Sequence, residues 1–150
     1  MLQPNDVRLF IRDRPEWNRL LNKEEFSQEQ IDQAMKLTVM LFNDITPSTQ
    51  YTVKEFPYQY LLLIGTVYHL LFGGGLGRSR NRLAYQTDGV SVDDEAHADV
   101  ELSLSSQLKA EFMQMAKDKK IEANVKRGWG NVPSEYRGAG YYKHIWFKNK

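Results

Sequence analysis

The run from Phe56 to Phe72, Phe-Pro-Tyr-Gln-Tyr-Leu-Leu-Leu-Ile-Gly-Thr-Val-Tyr-His-Leu-Leu-Phe, is apolar around most of a helical circumference, and no Asp, Glu, Lys or Arg stands between Glu55 and Arg78. A helix of that kind must be covered, by other helices or by lipid. Its strongly apolar part, Tyr60 to Phe72, falls short of the ~20 residues that cross a bilayer, and Gln59, Thr66 and His69 interrupt the apolar surface. It is therefore expected as the central buried helix of a bundle. Pro57 suits the first turn, where its missing N–H removes a donor without an intrahelical partner, and Gly73-Gly74-Gly75 is expected to stop the helix. Gly65, mid-helix, costs about 1 kcal/mol relative to Ala, which makes sense if a neighbouring helix must come close.

The flanking sequence supplies helices to cover it. Asn5 or Asp6 can cap a short first helix whose Val7, Phe10 and Ile11 share a face. Pro15 to Leu21 reads as a turn or short helix with Trp17, Leu20 and Leu21 turned inward. Ser27-Gln28-Glu29-Gln30 is a capping box, with Phe26 placed to staple against Ile31. Ile31, Ala34, Met35, Thr38, Phe42 and Ile45 then recur at helical spacing as far as Asn43-Asp44 and the loop at Thr46-Pro47. Gly73 to Arg82, glycine-rich and basic, fits neither the P-loop nor the dinucleotide pattern and is expected as a flexible connection. Asp88-Gly89 between Tyr85-Gln86-Thr87 and Val90-Ser91-Val92 predicts a β-hairpin over 83–92. A long helix is expected from about Asp94 to Asn124, with Leu104, Leu108, Phe112 and Met115 as its stripe and Glu122 and Lys126 as an i,i+4 pair.

The expected fold class is thus mainly α: a small helical bundle around a central buried helix, with one β-hairpin and an extended C-terminal tail. The helical domain with its hairpin covers 1–126, and the tail 127–150. A chain of 150 residues can bury about two thirds of its unfolded surface without staples. It has no cysteine, which removes disulfides, thiolate zinc sites and cysteine nucleophiles and fits a reducing cytoplasm. The first residues have neither the basic nor the apolar region of a secretory signal. A net charge of +1 conceals an asymmetry: six acids and no Lys or Arg from Asp88 to Glu101, then nine bases against three acids from Lys117 to Lys150. The tail carries Trp129, Tyr136, Arg137, Tyr141, Tyr142, Trp146 and Phe147 without a sustained period, so these aromatics are expected to anchor a partner.

Catalytic chemistry finds little purchase. His69, His97 and His144 are far apart, and His69, on the buried helix, is expected as a hydrogen-bonded core histidine. Asp93, Asp94 and His97 could share a helical face as metal ligands, but acids at a helix start are also explained by the helix dipole. No nucleophile elbow or other local signature groups Ser, His and carboxylate. No catalytic residue, metal or cofactor is assigned.

The segment Asp6 to Leu21, followed by Glu25-Phe26-Ser27, Ile31, Phe42-Asn43, Pro47, Phe56-Pro57, Leu61-Leu62, Asn81-Arg82-Leu83-Ala84-Tyr85 and Asp88 to Val92, resembles tailed-bacteriophage head-tail adaptor (connector, neck) proteins. The resemblance covers most of the chain, in order. It implies a virion structural protein and not an enzyme: a homo-oligomeric ring of about twelve copies, docked beneath the portal protein through the C-terminal tail, touching further neck or tail proteins, and assembled in the host cytoplasm without a membrane. Tyr85, Asp88, Val90, Val92, Asp93 and Asp94 are then expected between subunits, and Arg78, Arg80 and Arg82 toward a channel with transient, non-specific contact to packaged DNA. The alternative is a DNA-binding packaging accessory protein, drawing on the same arginines and the basic tail. An enzyme such as a cell-wall hydrolase is a third reading.

Overall fold

The computed structural model describes residues 2–18, 23–80, 85–87, 90–92 and 94–130, with side chains described in all of these except 85–96 and 126–130. Among the described residues four helices follow in order, α1 (Pro4–Ile11), α2 (Gln28–Asp44), α3 (Gln59–Arg80) and α4 (Asp94–Gly130). Between α3 and α4, β1 (Tyr85–Thr87) and β2 (Val90–Val92) pair antiparallel with Tyr85 opposite Val92. Two three-residue strands are too little to hold themselves in water, and their turn and both connections lie outside the described residues, so the fold rests on its helices. Contacts divide the chain into Met1–Ala116 and Lys117–Lys150.

The first unit is a bundle around α3. Helix α2 starts as the capping box requires: Ser27 Oγ accepts the Gln30 N–H (3.2 Å), and the Gln30 side chain accepts the Ser27 N–H (2.7 Å). Its stripe, Ile31, Ala34, Met35, Thr38, Val39 and Phe42, is buried, with Phe26 in the same cluster as Ile31. Helix α3 begins two residues after Pro57; the Tyr58 carbonyl accepts the Leu62 N–H at 2.9 Å, and Leu61, Leu62, Ile64 and Val67 enter the core. By length and composition α3 could cross a membrane, and half of its most apolar window is buried inside the protein. Phe42, Tyr51, Phe56 and Tyr58 form a cluster of rings with centroids 5.0–6.1 Å apart, closing one end of the bundle.

The glycines do not stop α3. The helix continues through Gly73, Gly74, Gly75 and Gly77 to Arg80, so the expected flexible connection is helical for most of its length. Packing accounts for this. A Cβ at Gly75 would stand 3.0 Å from Leu102 Cγ and 3.4 Å from the Ala98 carbonyl, and one at Gly65 would stand 2.9 Å from Phe112. Helix α4 therefore lies antiparallel against α3, close enough to require bare backbone at those two points. Its buried residues in this unit are Ala98, Ser105, Phe112 and Ala116; Leu104, expected on the stripe, is exposed. Phe10 and Trp17 are exposed as well, each about half, while Leu20 and Leu21 lie outside the described residues.

The second unit, where described, is the remainder of α4, with a Lys119–Glu122 ion pair at 2.9 Å. Helix runs to Gly130, so Arg127 to Gly130, including Trp129, are not the extended tail expected from 127 onward. The side chain of Lys126, and with it the expected pair to Glu122, lies outside the described residues.

The glycines of α3 are thus of two kinds. Gly65→Ala would place Cβ 2.3 Å from Thr38 Cγ2 and is expected to cost about 1–3 kcal/mol as overpacking. At Gly73 and Gly77 a Cβ meets nothing within 4 Å, so alanine there is expected to stabilise by about 0.5–1 kcal/mol through helix propensity. Urea midpoints of the three variants check both signs.

Candidate functional site

Two polar assemblies stand out in the first unit. The first gathers on Asp13, which is 3% exposed. After α1, Arg12 adopts a left-handed conformation (φ 57°) and brings the chain back so that the Asp13 N–H reaches the Arg8 carbonyl at 2.9 Å. The Asp13 carboxylate then accepts from Arg8 Nη1 (3.1 Å), Asn18 Nδ2 (2.8 Å) and the backbone N–H groups of Glu25 (2.6 Å) and Phe26 (3.0 Å). Arg8, itself buried, also pairs with Glu24 at 2.9 Å. Every donor is local or backbone, and nothing here is left to bind a ligand. This is a structural hub that ties α1 to the start of α2.

The second assembly borders an open groove of about 690 Å³ between α2 and the C-terminal half of α3. Phe26, Ala34, Leu37 and Leu70 give it an apolar floor, Gly73, Gly74 and Gly77 expose backbone, and Glu25, Glu29, Gln30, Gln33, His69 and Arg78 supply the polar groups. Arg78 donates to both Glu25 and Glu101. Burial pushes the Glu101 carboxyl above its usual range against the pull of Arg78, with Glu25 adding to the rise, and Glu101 Oε2 is buried without a hydrogen-bond partner. His69 is half-buried rather than hydrogen-bonded in the core: Nε2 has no partner. Burial first, then the Lys109 ammonium, lowers its pKa, so the ring is neutral near pH 7.

The residues singled out from sequence are placed unevenly. Arg78 is paired with two carboxylates, Glu25 and Glu101, and remains about one third exposed. Arg80 is exposed, and Arg82 lies outside the described residues. Of the residues expected between subunits, Tyr85, Val90 and Val92 fall on the paired strands and Asp94 opens α4, while Asp88 and Asp93 lie outside the described residues. So do Tyr136, Arg137, Tyr141, Tyr142, Trp146 and Phe147. His97 is exposed, and among the described residues no group of three or more His, Asp or Glu could hold a metal. Asp13, Glu25 and Glu101 appear in the sequence only as members of longer stretches, with no site role expected of them; Asp13 alone carried a signal for one, as a short carboxylate just past a helix and before a proline.

No family model, characterised protein or solved structure matches the chain.

Two variants test these assemblies. Asp13→Ala leaves buried Arg8 with Glu24 as its one remaining carboxylate and takes the acceptor from Asn18 and from the Glu25 and Phe26 N–H groups, and is expected to cost about 3–5 kcal/mol, read from chemical unfolding. His69 holds its proton less tightly in the folded chain than in the unfolded one, so its contribution to stability is present above about pH 6.5 and lost as pH falls below it. His69→Gln is expected to flatten the unfolding free energy between about pH 5 and pH 7 relative to the parent; an unchanged slope would show the ring to be uncoupled from folding.

Proposed function

We propose that the chain is a structural subunit of a head-tail adaptor ring that assembles from copies of itself, docks beneath the portal of a tailed bacteriophage and continues the DNA channel toward the tail. The observation that carries the reading is the outer surface of the helices. Large apolar side chains are exposed in pairs at helical spacing: Leu37 and Met40 on α2, Phe72 and Leu76 on α3, Val100 and Leu104 on α4. A bundle that fully buries Phe42, Phe56 and Phe112 has no need of such pairs for folding, and exposed apolar surface of this kind is what protein interfaces use. A head-to-tail ring needs two different patches on each subunit, and faces on separate helices can supply them.

The resemblance to the adaptor family adds to this. Its residues include those that build the bundle: Val7, Phe26, Ile31, Phe42, Phe56 and Leu62 in the core, Ser27 as the α2 cap and Asp13 as the hub. They are fold-forming positions, as expected of a protein whose work is assembly. In this reading a hairpin over 83–92 meets a neighbouring subunit, and the segment after α4 docks the portal and further neck proteins. The protein performs no chemistry of its own and acts in the virion. The packaging-factor alternative is weakened by Arg78, which is already occupied by Glu25 and Glu101.

Light scattering and particle images of the full chain, alone and with its portal, test the reading. A closed ring seated on the portal is the expected outcome. A chain that stays at its monomer mass of 17.5 kDa at every concentration and ignores the portal, or that partitions into membranes, overturns it.

A further inference from the structure

We propose that the groove between α2 and the C-terminal half of α3 receives the basic, aromatic segment Tyr141 to Lys148 of a second copy of this chain. The inference rests on the ring reading and names the partner of one of its surfaces.

The shape and charge of the groove point to that occupant. Its floor is apolar at Ala34, Leu37 and Leu70, and Gly73 and Gly77 leave open space where side chains would stand, so a flat ring can lie directly on the α3 backbone. Its rim is acidic. Glu25 and Glu29 line it, and Arg78, the one Lys or Arg lining it among the described residues, is shared between Glu25 and Glu101, so that cluster keeps a net negative charge. His69, half-buried, lines the same groove beside Leu70.

The segment Tyr-Tyr-Lys-His-Ile-Trp-Phe-Lys at 141–148 offers each complement. Its rings match the apolar floor and the bare backbone. Lys143 and Lys148 oppose Glu25 and Glu29 in sign, the arrangement that orients and selects a partner. Residues 131–150 carry four bases against one acid, and a chain of that length reaches up to about 70 Å when extended, enough to pass from one copy to the next. Groove and arm are then the two unlike patches of a head-to-tail contact, which leaves Trp129, Tyr136 and Arg137 for the portal.

Disulfide trapping in the full chain tests this cleanly, because the protein has no cysteine of its own. A copy with Gly77→Cys is mixed with a tagged copy carrying Lys148→Cys. A mixed disulfide dimer at twice the monomer mass is expected. Tyr142→Ala with Trp146→Ala, and separately Gly77→Trp to fill the groove, are each expected to weaken self-association about thirtyfold or more, as loss of central aromatic anchors does. Assembly of the wild type without the mixed disulfide and without any effect of these variants overturns the inference and leaves the ring reading standing. A disulfide that forms only when both cysteines lie on one chain, at monomer mass, shows the arm to be intramolecular and also overturns it. A wild type that never self-associates overturns the ring reading and this inference together.

Discussion

The bundle depends on one close approach, at Gly65. Thr38 of α2 and Phe112 of α4 both reach the α3 backbone there, so near that a single Cβ would collide with the pair of them. Three helices can share one point only if the middle one has no side chain at it. The helix-propensity cost of glycine, about 1 kcal/mol, is offset by burying Thr38 and Phe112 completely. The Thr38 hydroxyl, which has no external partner in so tight a contact, returns to the Ala34 carbonyl at 2.8 Å, and Thr66 does the same toward Leu62 at 2.7 Å.

Outside the helices, single polar side chains hold the connections. Asp13 collects the chain between α1 and α2. Asn43 does the same after α2: its Nδ2 donates to the Tyr51 carbonyl (2.9 Å), and its Oδ1 accepts from the Tyr51 N–H (3.1 Å) and Thr49 Oγ1 (2.9 Å). Each hub substitutes for secondary structure by satisfying several donors and acceptors of an irregular segment at once.

This division explains what could be read in the sequence. The α2 start was legible because a capping box is complete within four residues, and the buried stripe of α2 because its members are large and evenly spaced. The central helix was legible from the absence of charge. Its end was not: glycine at 73–77 reads locally as a stop, and only the presence of α4 alongside Gly75 reverses that. The α4 stripe was legible at Phe112, with Leu108 and Met115 packed against the core, and failed only at Leu104. Hydropathy favours Leu104, but close packing against α3 selects the small Ala98, Ser105 and Ala116, and Leu104 is left outside. The groove was invisible, since its acids, Glu25 and Glu29, acquire meaning only when the fold sets them across from the glycine face of α3 and brings Arg78 between Glu25 and Glu101.

The two ends of α3 are held by different forces. At its start, Phe42, Tyr51, Phe56 and Tyr58 pack ring against ring, a contact indifferent to salt. Toward its end, α3 packs on α4 at Gly75 and is tied to Glu25 and Glu101 by Arg78, a guanidinium about one third exposed, while Gly73 and Gly77 just before it leave part of the helix surface bare. Ionic strength screens the second kind of fastening and not the first. The bundle is therefore polarised in strength along its own axis. Added salt weakens the ion-pair share of the hold at the glycine end and leaves the aromatic end untouched, so the local opening free energy of residues 73–80 falls with salt while that of residues 61–68 does not.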